Sequence, residues 1–195
     1  MPNRRRPGKD SIWQLKVTLR FIRPPIWRRI QVSGGTSLYN LHLIIQAAMG
    51  WENSHLYEFE IGETHYGEPA PEWGLETKDA SRQKFSRVLR GEKAKLHYVY
   101  DMGDGWEHEI VVEKILPAEA EKHYPVCIAG RRACPPEDCG GIWGYAKLLE
   151  IIEDPGHEEY EEYEEYEEMM NWLVGEFDPE AFHVEAISHG LMGMP

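Results

Sequence analysis

The chain has 195 residues, 42% of them hydrophobic and 28% charged, and a formal net charge of −13. This composition is typical of one soluble globular domain, and no apolar run approaches the roughly 20 residues that a membrane-spanning helix needs. Residues 148–195 hold fifteen acidic side chains and no Lys or Arg. Because nucleic-acid binding depends on neutralising phosphates, this charge argues against a nucleic-acid partner.

Three cysteines, with no apolar segment behind the basic N-terminus, argue against a secreted protein held by disulfides. We therefore expect a cytoplasmic protein with reduced thiols and no membrane contact. The composition further predicts a disordered basic arm over residues 1–10, a single domain over 11–187 and a flexible tail over 188–195.

The first two predicted elements are strands, and one face of the first strand is expected to be buried. Alternating apolar positions define the first strand: Trp13, Leu15, Val17, Leu19 and Phe21. Pro24 and Pro25 interrupt the ladder, so a second strand is expected to begin near Ile26.

A helix is predicted next, with Thr36 or Ser37 as its N-cap and Gly50 as its C-terminal cap. Its apolar positions recur at helical spacing: Leu38, Leu41, Ile44, Ile45, Ala48 and Met49.

Further strands are predicted in "HLYEFEIGETHYG", with a turn at Gly62, and in "KLHYVYD" and "HEIVVEKI". The last two flank "MGDG", and glycines at such a position favour a hairpin turn. Residues 118–142 are expected to be a loop. Helices are predicted from residue 143 or 144 to 153, in "HEEYEEYEEYEEMMNWLVG", and from Asp178 as an N-cap in "FDPEAF". Hairpins between groups of helices indicate an α+β fold with mainly antiparallel strands.

The turn between the last two strands holds the most varied polar residues of the chain. Asp101, Asp104 and His108, together with His55 and Trp106, form a candidate binding cluster. Two carboxylates and an imidazole could hold a divalent metal or act as acid and base. Asp and Gly are also the commonest turn residues, and we favour a structural turn over a catalytic loop.

A second candidate is a zinc site made by Cys127, Cys134 and Cys139. Zinc usually takes four ligands, so a histidine such as His108, His123 or His157 would have to complete the set. The spacing lacks the paired C-x2-C of common zinc ribbons, and we favour three small buried side chains.

A third candidate is an anion-binding site at Arg28 and Arg29, which flank the aromatic ring of Trp27. Arginines on the outer face of a strand more often keep it soluble, and we favour that interpretation. The nucleophile elbow, the phosphate-binding loop and the zinc-protease helix have no match in the chain, so no catalytic residue is assigned.

Several long motifs occur in an order that resembles one known family. They are "LKVTLRFIRPPIWRRIQV", "LHLIIQAAMGWENSHLYEF", "YDMGDGWEHEI", "YPVCIAGRRACPPEDCGG" and "FDPEAF". Together they resemble the plasmid pRiA4b ORF-3-like family over residues 11 to 185. The resemblance implies one compact α+β domain, an occurrence in bacteria, archaea and mobile elements, and no established activity.

We therefore expect a non-enzymatic binding or accessory module that recognises a protein or a small molecule. Its cleft would lie near the turn over residues 100–108 and the loop over residues 127–141, where a scaffold presents polar and aromatic groups. The alternatives are a zinc-binding domain or metal-dependent hydrolase, and a DNA accessory protein of a mobile element. No cofactor is firmly implied, although zinc fits the second alternative.

Overall fold

The computed structural model describes residues 11–69, 77–154, 156–157 and 177–194. Within them, eight strands form one sheet and four α-helices accompany it. The strands are β1 (Ser11–Leu19), β2 (Trp27–Ser33), β3 (Tyr57–Ile61), β4 (Thr64–Gly67), β5 (Lys78–Asp79), β6 (Lys95–Tyr100), β7 (Trp106–Pro117) and β8 (Val126–Arg131). The helices are α1 (Leu38–Met49), α2 (Phe85–Val88), α3 (Gly141–Glu153) and α4 (Val184–Gly190), and a 3-10 turn covers Ala80–Arg82.

The sheet has the strand order β5-β4-β3-β6-β7-β1-β2-β8. Every neighbouring pair is antiparallel except β4 with β5. The predicted α+β class with mainly antiparallel strands is confirmed.

The alternation predicted for β1 is correct for its first four apolar residues, all of which are buried. It is wrong for Phe21, whose side chain is 63% exposed and whose φ is 65°. The amide of Leu19 donates to the carbonyl of Ile26, so the chain leaves the sheet at Leu19 and residues 20–25 form the connection.

Helix α1 follows the sequence prediction at both ends. The Ser37 hydroxyl accepts a hydrogen bond from the amide of Asn40, and Gly50 takes a left-handed conformation with φ 89°. All six residues of the predicted apolar stripe are buried. They join the inward side chains of the sheet in one hydrophobic core.

The other face of the sheet is polar because strand side chains alternate between faces. Arg29, between the buried Arg28 and Ile30, pairs with Glu113 of β7 at 2.6 Å. Charged pairs of this kind lie on the face of the sheet that is turned away from the hydrophobic core.

Three differences from prediction lie in the second half of the chain. Strand β8 occupies part of the segment expected to be a loop, since it pairs with β2. The segment after Phe177 forms one turn around Pro179, and the helix begins only at Val184. Helix α4 then continues past residue 187, and Leu191 is fully buried, within the segment predicted as a tail.

Other expectations lie outside the described residues. These are the arm over residues 1–10, the helix stop at Pro155 and the Glu-Glu-Tyr helix. None of the helices in the described part is both long and apolar enough to cross a bilayer.

Candidate functional site

Three loops meet at one end of the sheet. Residues 50–56 lead from α1 into β3, residues 101–105 connect β6 to β7, and residues 132–140 lead from β8 into α3. We call this meeting place the three-loop rim. The Asp101 amide donates to the carbonyl of Leu56 at 2.9 Å, and the Gly140 amide donates to Asp104 Oδ2 at 3.2 Å. The loops are therefore bonded to one another.

Each loop contributes one potential metal ligand to the centre of the rim. His55 Nε2 lies 3.0 Å from Asp138 Oδ1 and 3.8 Å from Asp101 Oδ2. One ligand atom from each of the three side chains lies within 4.8 Å of the others. The described residues contain no other group of three such side chains. This spacing allows all three to contact a single ion.

The backbone holds two of these side chains in an uncommon conformation. Asp101 and Asp138 have φ values of 56° and 58°, in the left-handed region that Asp tolerates better than most residues. Asp101 Oδ1 accepts the Gly103 amide at 2.8 Å, which leaves Oδ2 turned toward His55. The Asp101 residue is only 7% exposed, whereas the Asp138 side chain is 50% exposed. The three side chains are thus held by the buried Asp101 on one side, and solvent reaches them beside Asp138 on the other.

Negative charge accumulates at the rim, and among the described residues no Lys or Arg pairs with its acids. The loops contain five acids: Glu52, Asp101, Asp104, Glu137 and Asp138. Their only Lys or Arg is Arg132, which is buried and bound to Glu180 and to the carbonyl of Pro24. Within the described part of the chain, the ion pairs formed by the five acids are those with His55. A cation would offset the repulsion between these carboxylates.

The acids also affect Cys139, which follows Asp138. Burial, and then the nearby charges of Asp104 and Asp138, raise the pKa of this thiol to about 12. At neutral pH Cys139 is therefore a protonated thiol, a poor nucleophile. A bound cation would oppose this shift, because positive charge favours the thiolate.

Of the predicted cluster, the structure brings Asp101 and His55 together and places Asp104 on the same rim. His108 and Trp106 are fully buried instead. The His108 ring packs against Trp51 and Tyr98, and neither ring nitrogen makes a hydrogen bond of normal geometry among the described residues. Burial lowers the pKa of His108 to about 3, so it is a neutral core residue.

The cysteines do not form a group of three ligands with other described residues. Cys134 is buried, accepts a hydrogen bond from Arg28 Nη2 at 3.4 Å and lies 3.2 Å from the sulfur of Met49. Burial raises the pKa of both Cys127 and Cys134. Cys127 and Cys134 are thus small buried side chains, whereas Cys139 is only partly buried.

The two arginines proposed for anion binding have existing partners. Arg28 is 3% exposed and donates to the carbonyls of Trp27, Ala48 and Arg131. Arg29 donates to both carboxylate oxygens of Glu113, and this hydrogen bonding raises the pKa of Arg29.

Asp138 is the rim residue that sequence reasoning missed. It lies in "CPPEDCGG", a segment that the sequence places beside the expected cleft but whose thiols alone are candidate ligands. An acidic pair inside a Pro- and Gly-rich loop was the available signal, because such loops commonly present functional side chains. Its pairing with His55 depends on loop convergence that local patterns do not encode.

Comparison with known proteins finds a matching family and related proteins. A family model described as plasmid pRiA4b ORF-3-like protein matches residues 11–186. The uncharacterized protein y4hQ of Sinorhizobium fredii is 43% identical over 151 residues, which is 77% of each chain. The crystal structure of a protein of unknown function, MM3350 from Methanosarcina mazei Go1, is 37% identical with a TM-score of 0.78, over 91% of this chain and 98% of that one.

Proposed function

The chain belongs to the plasmid pRiA4b ORF-3-like family, and since neither relative named above carries an activity in its name, we propose a function from the site itself. We propose that this protein is a binding module that holds one divalent metal ion between His55, Asp101 and Asp138. The observation that carries the proposal is the approach of these three ligand atoms, from three separate loops, to within 4.8 Å of one another.

The ligand set favours a first-row transition ion. Imidazole suits zinc, iron and nickel, while carboxylate oxygens suit manganese and magnesium. Magnesium and calcium prefer sets made wholly of oxygen, so one histidine favours Zn²⁺ or Mn²⁺ over either of them. Three protein ligands leave coordination positions open toward solvent beside the exposed Asp138.

Binding is better supported than hydrolysis because the carboxylate next to Asp138 is already engaged. Both oxygens of Glu137 accept hydrogen bonds, one from the Tyr100 hydroxyl and one from the Glu52 amide. Glu137 therefore serves the architecture of the rim and is not free to act as a general base.

DNA binding has less support than cation binding. Arg28 is buried and Arg29 is bound to Glu113, so neither presents a free cation to a phosphate. The acidic rim would repel the nucleic-acid backbone.

Titration of untagged protein with Zn²⁺, Mn²⁺ and Mg²⁺, followed by calorimetry, tests the proposal. We expect one ion per chain, with affinity falling in the order Zn²⁺, Mn²⁺, Mg²⁺. His55→Ala and Asp101→Asn should each weaken Zn²⁺ binding at least tenfold, because each removes one of three ligands.

His65→Ala is the matched control, since His65 also pairs with a carboxylate, Glu58 at 2.7 Å, but belongs to no group of three. It should leave Zn²⁺ binding unchanged. Saturable binding that survives His55→Ala and disappears with Cys127→Ser would move the site to the cysteines. Absence of Zn²⁺ and Mn²⁺ uptake at millimolar concentration would refute the proposal.

A further inference from the structure

The hydroxyl group of Tyr100 lies where the three loops of the rim join. It accepts hydrogen bonds from the amide of Ser54 at 2.9 Å and from the amide of His55 at 3.3 Å, and it donates to Glu137 Oε1. A phenolic hydroxyl has one donor and two acceptor positions, so these three bonds use its full capacity. One oxygen atom thus bonds to two loops of the rim and belongs to the residue that precedes the third.

The three bonds reach the loops of two ligands of the proposed ion, and the Tyr100 backbone leads directly to the third. The two amides fix the loop that carries His55, and Glu137 immediately precedes Asp138 in the third loop. Tyr100 itself is the last residue of β6 and immediately precedes Asp101. Tyr100 is therefore linked to all three ligands. His55 is held through its own amide, Asp138 through the neighbouring Glu137, and Asp101 through its peptide bond to Tyr100.

The Tyr100 ring is held firmly enough to act as a fixed reference point. The residue is fully buried, and its ring stacks on Trp51 at a centroid distance of 5.1 Å. Burial and stacking therefore fix where the hydroxyl lies relative to the three loops.

We infer that Tyr100 is the positioning residue of the three-loop rim, which sets the separation of His55, Asp101 and Asp138 without contacting the ion. This inference rests on the proposed function. Partners that orient metal ligands from outside the coordination sphere usually contribute 10–100-fold to metal affinity. Tyr100 acts on the backbone that carries the ligands, so loss of its hydroxyl should reduce affinity by a comparable factor.

The fold does not depend on this hydroxyl alone. The Trp51 indole donates to the carbonyl of Pro135 at 2.9 Å, and the Asp101 amide still bonds to Leu56. These contacts involve no Tyr100 oxygen and should keep the loops attached when it is removed. The expected defect is therefore in ligand spacing, with the sheet intact.

Tyr100→Phe tests the inference, with Tyr145→Phe as the matched control. Tyr145 is also buried, at 1% exposure, but its hydroxyl has no hydrogen-bond partner among the described residues. Zn²⁺ affinity, amide hydrogen exchange and chemical unfolding in chelator should be measured for both variants and the parent. Amide exchange is a direct readout of the two donated bonds and does not require a metal.

We expect Tyr100→Phe to bind Zn²⁺ 10–100-fold more weakly than the parent. The amides of Ser54 and His55 should exchange at least tenfold faster, while those of β6 and β7 stay protected. Tyr145→Phe should match the parent in both measurements. This pattern separates a positioning role from general destabilisation, which would expose the strands as well.

Zn²⁺ affinity of Tyr100→Phe within twofold of the parent would overturn the inference, and so would unchanged exchange of both amides. A parent protein that takes up no ion would instead refute the proposed function. The two failures are distinguishable because the parent is titrated first and the exchange experiment needs no ion.

Discussion

Arg28 and Arg29 are neighbours in sequence, yet strand alternation gives their side chains opposite surroundings. Arg28 points into the core, where it has no carboxylate partner among the described residues and is satisfied by backbone carbonyls. The carbonyl of Ala48 belongs to the last turn of α1, the negative end of the helix dipole, which favours a cation. Arg29 forms a surface pair with Glu113. A single residue step thus separates a buried structural cation from a solvated one.

Replacement of these two arginines should have very different costs. Arg28→Ala should lower the free energy of unfolding by about 3 kcal/mol, because it leaves several buried carbonyls without donors. Arg29→Ala should cost about 1 kcal/mol, near the upper end for surface ion pairs, because the pair with Glu113 is bidentate and half-buried. Urea unfolding monitored by circular dichroism measures both values. Equal costs for the two variants would contradict the assigned burial.

At the scale of elements, the rim is built where α3 begins against the β6–β7 turn. Gly141 is the first residue of α3 and has a φ of 67°. A Cβ atom at this position would lie 2.4 Å from the carbonyl oxygen of Asp104. The close approach of two loops therefore requires a residue without a side chain at this point.

Gly141→Ala should destabilise the protein and disturb the rim together. The clash requires the helix start to move away from Asp104, and the left-handed φ adds strain, for a total cost of about 2–4 kcal/mol. Zn²⁺ affinity should fall as well, because the loop that carries Asp138 precedes Gly141 directly.

Gly62→Ala is the control for backbone strain alone. Gly62 has a similar φ of 63°, but a Cβ there would meet nothing within 4 Å. It should cost about 1 kcal/mol and leave Zn²⁺ affinity unchanged. If Gly141→Ala behaves like Gly62→Ala in both measurements, the contact with Asp104 does not matter to the rim.

At the scale of the whole molecule, two buried imidazoles make stability depend on pH. Burial lowers the pKa of His42 to about 4 and that of His108 to about 3, from an unfolded value of 6.5. His42 is held neutral between the Tyr98 hydroxyl at 2.8 Å and Asn53 Oδ1 at 2.6 Å. Both rings bind a proton in the unfolded chain at pH values where they stay neutral in the folded one.

The sign of the effect follows from these lowered pKa values. Above pH 6.5 the imidazoles are neutral in both states, so the stability they contribute is fully present. As the pH falls toward 4, unfolding takes up protons, and each histidine lowers stability by about 1.4 kcal/mol per pH unit. Because the imidazoles of the unfolded chain are largely but not fully protonated between pH 6 and 5, the two together should give about 2 kcal/mol over this unit.

Urea unfolding at several pH values between 7 and 4.5 measures this slope. His108→Leu should reduce it by about half, since one of the two buried imidazoles is gone. His65→Leu, which alters an exposed histidine of strand β4, should retain the full slope. A pH-independent free energy of unfolding in the parent over this range would contradict the buried, neutral state of both rings.

Local patterns in the sequence determined the identity of most elements. The apolar stripe of α1 and the alternation in β1 follow from periods of 3.6 and 2 along the chain. The caps of α1 and the turn between β6 and β7 follow from the types of residue at those positions. The same residues carried the family membership. Phe21 and Phe177 show the limit of this reasoning, because a periodic or capping pattern does not say where the tertiary structure turns the chain.

Only the tertiary structure decided which side chains share a site. Alternation places Trp106, His108 and Arg28 on the inward face of the sheet. How far each side chain is buried depends on which elements pack against that face. Strand order places the connections before β3 and after β6 side by side, but β8 lies at the opposite edge of the sheet, so the path of the loop over residues 132–140 is what brings Asp138 to them. Asp138 therefore meets His55 and Asp101 through long-range packing, for which the sequence of any one loop contains no pattern.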